Sequence, residues 1–148
     1  MKYAVIGSRS PSTLSINRVC EYLNKQTDID TVVTGGAYGM DTVGMKWAAS
    51  HNVPMTVYRP YGYHNELVCE LYDHAPNHIV RTGLGFTDRN TLIIENANIA
   101  VVGDYGNGTI DAITKAVDMQ KPVLIFGKYI PGRYIKILPE SEYIQFFD

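Results

Sequence analysis

The sequence predicts an α/β fold, a Rossmann-like three-layer sandwich with a mostly parallel sheet. Short apolar runs without polar alternation recur along the chain, as in strands buried on both faces. Between them lie stretches with apolar residues at helical spacing. Most of the 13 glycines fall where a strand run gives way to a helical one. With 148 residues and no linker, repeat or low-complexity segment, one domain over residues 1–148 is expected.

Tyr3-Ala4-Val5-Ile6 reads as the first strand, stopping at Gly7-Ser8-Arg9-Ser10-Pro11, and Ile16, Val19, Cys20 and Leu23 mark the helix that follows. The β-branched run Thr31-Val32-Val33-Thr34 is the second strand; it ends at Gly35-Gly36, and Val43, Trp47 and Ala48 line a second helix. Pro54 to Tyr58 is the third strand, closed by Arg59-Pro60, because a residue before proline is biased away from helix. Leu67, Val68, Leu71 and Tyr72 give a helical stripe between His64 and His74. A short strand from His78 to Arg81 and a Gly83-Leu84-Gly85 turn follow. Thr87 or Asp88 can cap a helix to about Asn98, with Leu92, Ile93 and Ala97 inward, before the strand Ile99 to Val102. The loop Gly103-Asp104-Tyr105-Gly106-Asn107-Gly108-Thr109 opens a helix carrying Ile113, Ala116 and Val117, and Pro122 to Phe126 is a further buried strand. In the tail, Tyr134 to Ile137 is a candidate strand.

Thirteen basic and 15 acidic residues leave a net charge of −2 with no long block of one sign, which disfavours a strongly basic nucleic-acid binder but leaves room for a local basic mouth. Cys20 and Cys69 stand alone, as reduced thiols of an intracellular protein would, and His51, His64, His74 and His78 show no metal-ligand spacing. No metal and no cofactor are expected. The apolar run before Gly7 is too short for a signal peptide, and none approaches the ~20 residues of a membrane span, so a cytoplasmic location without membrane contact is expected.

In such folds ligands bind outside the carboxyl ends of the strands. The loops Gly7-Ser8-Arg9, Gly35-Gly36-Ala37-Tyr38-Gly39 and Gly103 to Thr109 all follow strand runs and are expected to meet in one crevice. Glycine there lets backbone approach a ligand, while the next helix aims free N–H groups and its positive dipole end at an anion. Plain strand-to-helix turns are the alternative. Neither GxGxxG after the first strand nor GxxxxGK[ST] is present, so dinucleotide redox chemistry and P-loop hydrolysis are disfavoured.

Arg9, Arg59 and Arg89 are candidate phosphate contacts, with solvated or cap-bonding roles as the alternative. Asp41 and Asp104 suit either a ribose hydroxyl or helix-start N–H groups, and Tyr38 and Tyr105 either stack on a base or pack on a helix. Glu66 and Glu70 lie at i, i+4 and read as solvated charges. No catalytic residue is assigned.

Gly35-Gly36-Ala37-Tyr38-Gly39-Met40-Asp41-Thr42 resembles the GGAxGxD element of the SLOG superfamily, which joins DNA-processing-protein-A-like and lonely-guy-like Rossmann proteins. Val5-Ile6-Gly7-Ser8-Arg9, Thr87-Asp88-Arg89-Asn90 and Gly106-Asn107-Gly108-Thr109 resemble its GSR, RN and GxGT pieces in the same order, over roughly residues 2–126. The resemblance implies a nucleotide or nucleotide-derived ligand, with phosphate on the glycine loops and Arg89, and Asn90 is a further ligand-binding candidate.

Two departures matter. The lonely-guy-like PGGxGTxxE pattern has a glutamate where Ala112 stands, and Asp111 points about 100° away on a helix. DNA-processing-protein-like members commonly carry a histidine where Met45 stands. The reading is therefore a binding module for a phosphorylated nucleoside or nucleotide-derived signal. The alternatives are a nucleotide N-glycosidase that releases a base from a nucleoside monophosphate and, less favoured, single-stranded DNA binding. Arg89→Ala is expected to weaken the ligand and leave folding intact. Tyr143-Ile144 and Phe146-Phe147 are candidates for homodimer contact or for covering the last strand of their own sheet.

Overall fold

The computed structural model describes residues 1–61 and 77–147, and for Asn77, His78 and Arg81 it describes the backbone alone. The helix expected between His64 and His74, with Glu66, Cys69 and Glu70, lies outside those residues. The elements run β1 (Lys2–Gly7), α1 (Thr13–Lys25), β2 (Thr31–Thr34), α2 (Met40–Ser50), β3 (Met55–Arg59) and β4 (Asn77–Arg81). They continue as α3 (Phe86–Glu95), β5 (Ile99–Tyr105), α4 (Asn107–Asp118), β6 (Val123–Tyr129) and β7 (Ile144–Phe147).

The strands form one sheet in the order β4-β3-β2-β1-β5-β6-β7, every neighbouring pair parallel. This is the expected Rossmann-like α/β architecture. Successive strand residues point to opposite faces, which explains the missing polar alternation. Tyr3 and Val5 pack with Val19 and Leu23 of α1 and Met45 of α2, while Ala4 and Ile6 pack with Ile93 of α3 and Ile113 of α4. Each fully buried aliphatic side chain, such as Leu23 or Ile113, contributes about 1.5–3 kcal/mol. Strand order reverses between β1 and β5, where Val5 pairs with Val101 and Gly7 with Gly103.

Three elements differ from expectation. β5 runs on past Val102 to Tyr105, because Gly103 still pairs with Gly7 of β1 and Phe126 of β6, so that of the expected loop Gly103 to Thr109 only Gly106 stands between β5 and α4. α3 begins at Phe86 with Gly85 as N-cap, so neither Thr87 nor Asp88 caps it, and it ends at Glu95. It stops short because Asn98 already belongs to the sheet entry: its N–H donates to the Lys2 carbonyl and its side chain accepts from the Lys2 N–H. Residues 134–137 form no strand. β6 has neighbours on both sides, and a parallel β6–β7 pair needs a crossover, which residues 130–143 supply as an extended strap. The apolar tail itself becomes β7, and Phe147 stacks on Phe126 with ring centroids 4.6 Å apart. Among the described residues no helix is long and apolar enough to cross a membrane.

Candidate functional site

The loop after β1, the loop after β2 and the end of β5 meet where the strand order reverses. The Ser8 N–H donates to the carbonyls of Gly103 (3.3 Å) and Asp104 (3.1 Å), keeping the β1 loop zipped to β5. The Ser8 carbonyl accepts from the Met40 N–H at 3.0 Å, fastening the same loop to the start of α2. A Cβ on Gly7 would run into the Gly103 carbonyl, and one on Gly39, whose φ is +85°, into the backbone of Ser8 and Arg9. At these positions glycine first lets loop touch loop.

Beneath the second loop sit a buried arginine and a buried aspartate, Arg89 and Asp41. Arg89 is 2% exposed, and its Nη1 donates to the carbonyls of Gly35 (2.6 Å) and Tyr58 (2.9 Å). Its Nε donates to Asn90 Oδ1 at 3.2 Å. The Asp41 carboxyl, also buried, accepts from the Ala37 N–H at 3.2 Å. Burial pushes the Asp41 carboxyl above the usual range, opposed by the Arg89 guanidinium and by the Ala37 and Gly35 amides. Gly35 has no room for a side chain, because a Cβ would meet the Arg89 guanidinium and lie 2.9 Å from Asp41 Oδ2. Arg89 is thus committed to the scaffold as well as bordering the site, so removing it cannot leave folding untouched. Gly36 takes the left-handed φ of +73° beside this pair.

Above lies a narrow crevice with about 40 Å³ of room, bordered by Gly7, Arg9, Ala37, Asp41, Arg89, Asn90, Gly108 and Thr109. The sequence reading singles out all eight. The crevice also holds a residue that reading missed. Phe86 lies against Gly108, where a Cβ would be 3.0 Å from its ring. The Arg89 and Arg9 guanidinium carbons lie 4.6 and 5.7 Å from its ring centroid. The available signal was an aromatic residue between Gly85 and Thr87, at the junction of a glycine turn and a helix.

α3 and α4 both start beside the crevice on glycine N-caps, Gly85 and Gly106, which supply no side-chain acceptor to the first-turn N–H groups. Thr109 Oγ1 accepts from the Gly106 N–H at 3.4 Å. Asn90 Nδ2 ties the two helices, donating to the Gly108 carbonyl (3.4 Å) and to Asp111 Oδ2 (3.1 Å). Asp111 also pairs with Lys115 at 2.8 Å, and it is Ala112 that faces the crevice from α4.

Other candidates lie apart from the crevice. Asp104 borders a wider trough, about 650 Å³, on the α1 side of the sheet. Its Oδ2 accepts from the Ser12 N–H (2.8 Å) and Ser15 Oγ (2.9 Å), and its Oδ1 from the Lys128 N–H (2.7 Å). Burial pushes its carboxyl up, but these donors outweigh it and hold the group below the usual carboxylate range. Tyr105 is buried against Tyr129 with centroids 5.5 Å apart, the packing role, whereas Tyr38 is 48% exposed beside Ala37. Arg59 ends β3, where its carbonyl accepts from the Thr82 N–H and hydroxyl, and it does not border the crevice. Among the described residues no group of His, Cys, Asp and Glu is arranged to hold a metal ion.

Solved structures share this fold. DNA processing protein A from Streptococcus pneumoniae aligns with a TM-score of 0.69 at 20% identity, over 85% of this chain and 50% of that one. The chain therefore spans half the length of the pneumococcal protein. DNA processing protein A from Helicobacter pylori, described with a single-stranded DNA binding mode, aligns at 0.67 and 20% identity over 97% of this chain and 69% of that one. The molybdenum cofactor carrier protein of Chlamydomonas reinhardtii aligns at 0.68 and 24% identity, over 86% and 76%. No curated protein sequence matches the chain. The SLOG cluster4 family model matches residues 1–145. Because that match runs over nearly the whole length, the chain belongs to the SLOG cluster4 family.

Proposed function

We propose that the chain binds a phosphorylated nucleoside or a nucleotide-derived signal at the crevice between β1 and β5. The observation that carries this reading is the pair of helix starts at Gly85 and Gly106, without side-chain caps and next to the exposed Arg9. The room of about 40 Å³ suits an anionic group, while sugar and base lie outside, with the exposed Tyr38 as a stacking surface. A net charge of −2 favours a small anion over a long nucleic acid. Binding without base release is expected, because α4 presents Ala112 to the crevice and Asp111 is held by Lys115.

Calorimetric titration with nucleoside mono- and diphosphates, ADP-ribose, cyclic nucleotides and the molybdenum cofactor tests the reading. Saturable binding by one of them is expected, with chromatography finding no free base. No saturable binding by any, from a folded sample, overturns it. Single-stranded DNA binding is a second reading, favoured by the exposed rings of Tyr38 and Tyr61 on the loops after β2 and β3. It predicts mobility shifts that fade steeply with salt.

A further inference from the structure

We propose that the strap between β6 and β7 is the surface on which a second copy of this chain docks. Parallel strands are usually joined by a helix that covers the sheet, and here an extended segment takes that place. Its backbone is tied down. The Ile130 N–H donates to the Tyr105 carbonyl (2.8 Å) and Asn107 Nδ2 to the Tyr134 carbonyl (2.7 Å). The Tyr129 hydroxyl donates to Asn107 Oδ1 (2.5 Å) and accepts from the Lys136 N–H (3.0 Å). Leu138 packs into the core on the α3/α4 side.

A segment held this firmly nevertheless presents Tyr134 at 67%, Ile135 at 76% and Ile137 at 84% exposure. Phe146 adds to them at 59%, from the sheet face it shares with Ile144, where Leu138 also packs. Large apolar side chains gathered on an ordered segment mark a surface that is covered in the working state.

Charge identifies the cover. Arg133 and Lys136 lie on the N-terminal side of the strap's midpoint, Glu140 and Glu142 on the C-terminal side, and all four are exposed. None of them is in an ion pair among the described residues. Two straps set antiparallel about a two-fold axis bring the basic half of each against the acidic half of the other and close Ile135 and Ile137 between them, the self-complementarity an isologous dimer requires. An anionic lipid surface would instead be repelled by Glu140 and Glu142. Because the strap is bonded to Asn107, the partner also steadies the first turn of α4.

The inference stands apart from any ligand, and light scattering on the full chain alone tests it. Wild type is expected at twice the chain mass at micromolar concentration. Ile135→Asp with Ile137→Asp is expected to give the monomer. Arg133→Glu with Lys136→Glu, or Glu140→Lys with Glu142→Lys, should each weaken the dimer at least about tenfold, and combining the four restores it. These side chains are exposed, so circular dichroism should match wild type; if the apolar variant unfolds, the charge reversals decide alone. A monomeric wild type, a dimer indifferent to all these variants, or a monomer that instead binds phosphatidylserine vesicles through Ile135 and Ile137 overturns the proposal.

Discussion

The Arg89 guanidinium donates to the Gly35 carbonyl at 2.6 Å, joining the first turn of α3 to the loop after β2 across 54 residues of chain. The second glycine loop thus rests on a buried cation, with the Asp41 carboxyl beside it. Removing the cation leaves the Gly35 and Tyr58 carbonyls without this donor and Asp41 without the charge that offsets its burial. Arg89→Ala is therefore expected to cost about 3–5 kcal/mol of stability, read by chemical denaturation. An unchanged midpoint would show that the guanidinium does not hold the loop.

Arg9 is the complementary case. It is exposed at the mouth of the crevice and touches the scaffold through the Phe86 ring. Arg9→Ala should weaken a phosphorylated ligand by about 1.5–3 kcal/mol, the size of a hydrogen bond to a charged group. Stability should change by no more than about 1 kcal/mol, the scale of an exposed cation–π contact. Calorimetry and denaturation of the same sample separate the two effects.

Asp104 predicts a pH dependence of definite sign. Its folded carboxyl is held below the unfolded value of about 3.9, so its stabilisation is present above that value and is lost as pH falls through the folded one. Asp104→Asn is expected to lose about 1.5–3 kcal/mol at neutral pH, and its deficit against wild type should shrink in acid. A deficit that stays constant from neutral pH to pH 3 would refute the charged role. The sign reverses at Asp41, whose raised folded value makes its share greatest below the carboxylate range and smaller as pH rises.

Gly39 and Gly83 both have positive φ, +85° and +68°, but only Gly39 faces neighbours within reach of a Cβ. Gly83→Ala should cost about 1–2 kcal/mol, the left-handed penalty alone. Gly39→Ala adds a collision with the β1 loop and should cost about 2–4 kcal/mol. Equal thermal shifts for the two variants would contradict the loop-on-loop contact.

The strands and helices were legible because their signals are local: the apolar runs at Tyr3 to Ile6 and Thr31 to Thr34, and the helical spacing of Ile16, Val19 and Leu23. The meeting of the glycine loops was legible too, since loops after parallel strands share one edge. Phe86 escaped because an aromatic beside a glycine turn has no periodicity, and its contacts are with Gly108, Arg9 and Arg89, far off in sequence or across a helix turn. Residues 134–137 looked like a strand because an isolated apolar run does not reveal whether a neighbour is free to pair with it.

By itself the sequence determined the layers of this fold and the edge at which its small-residue loops gather, because periodicity and glycine placement act over a few residues. Only the tertiary structure decided that Arg89 and Asp41 are buried in the wall of the crevice, that Asp104 faces the other side of the sheet, and that the strap turns Ile135 and Ile137 outward. A side chain's role depends on which distant backbone groups surround it. Arg89 meets Gly35 and Asp104 meets Ser12 only once the parallel sheet has brought their loops together.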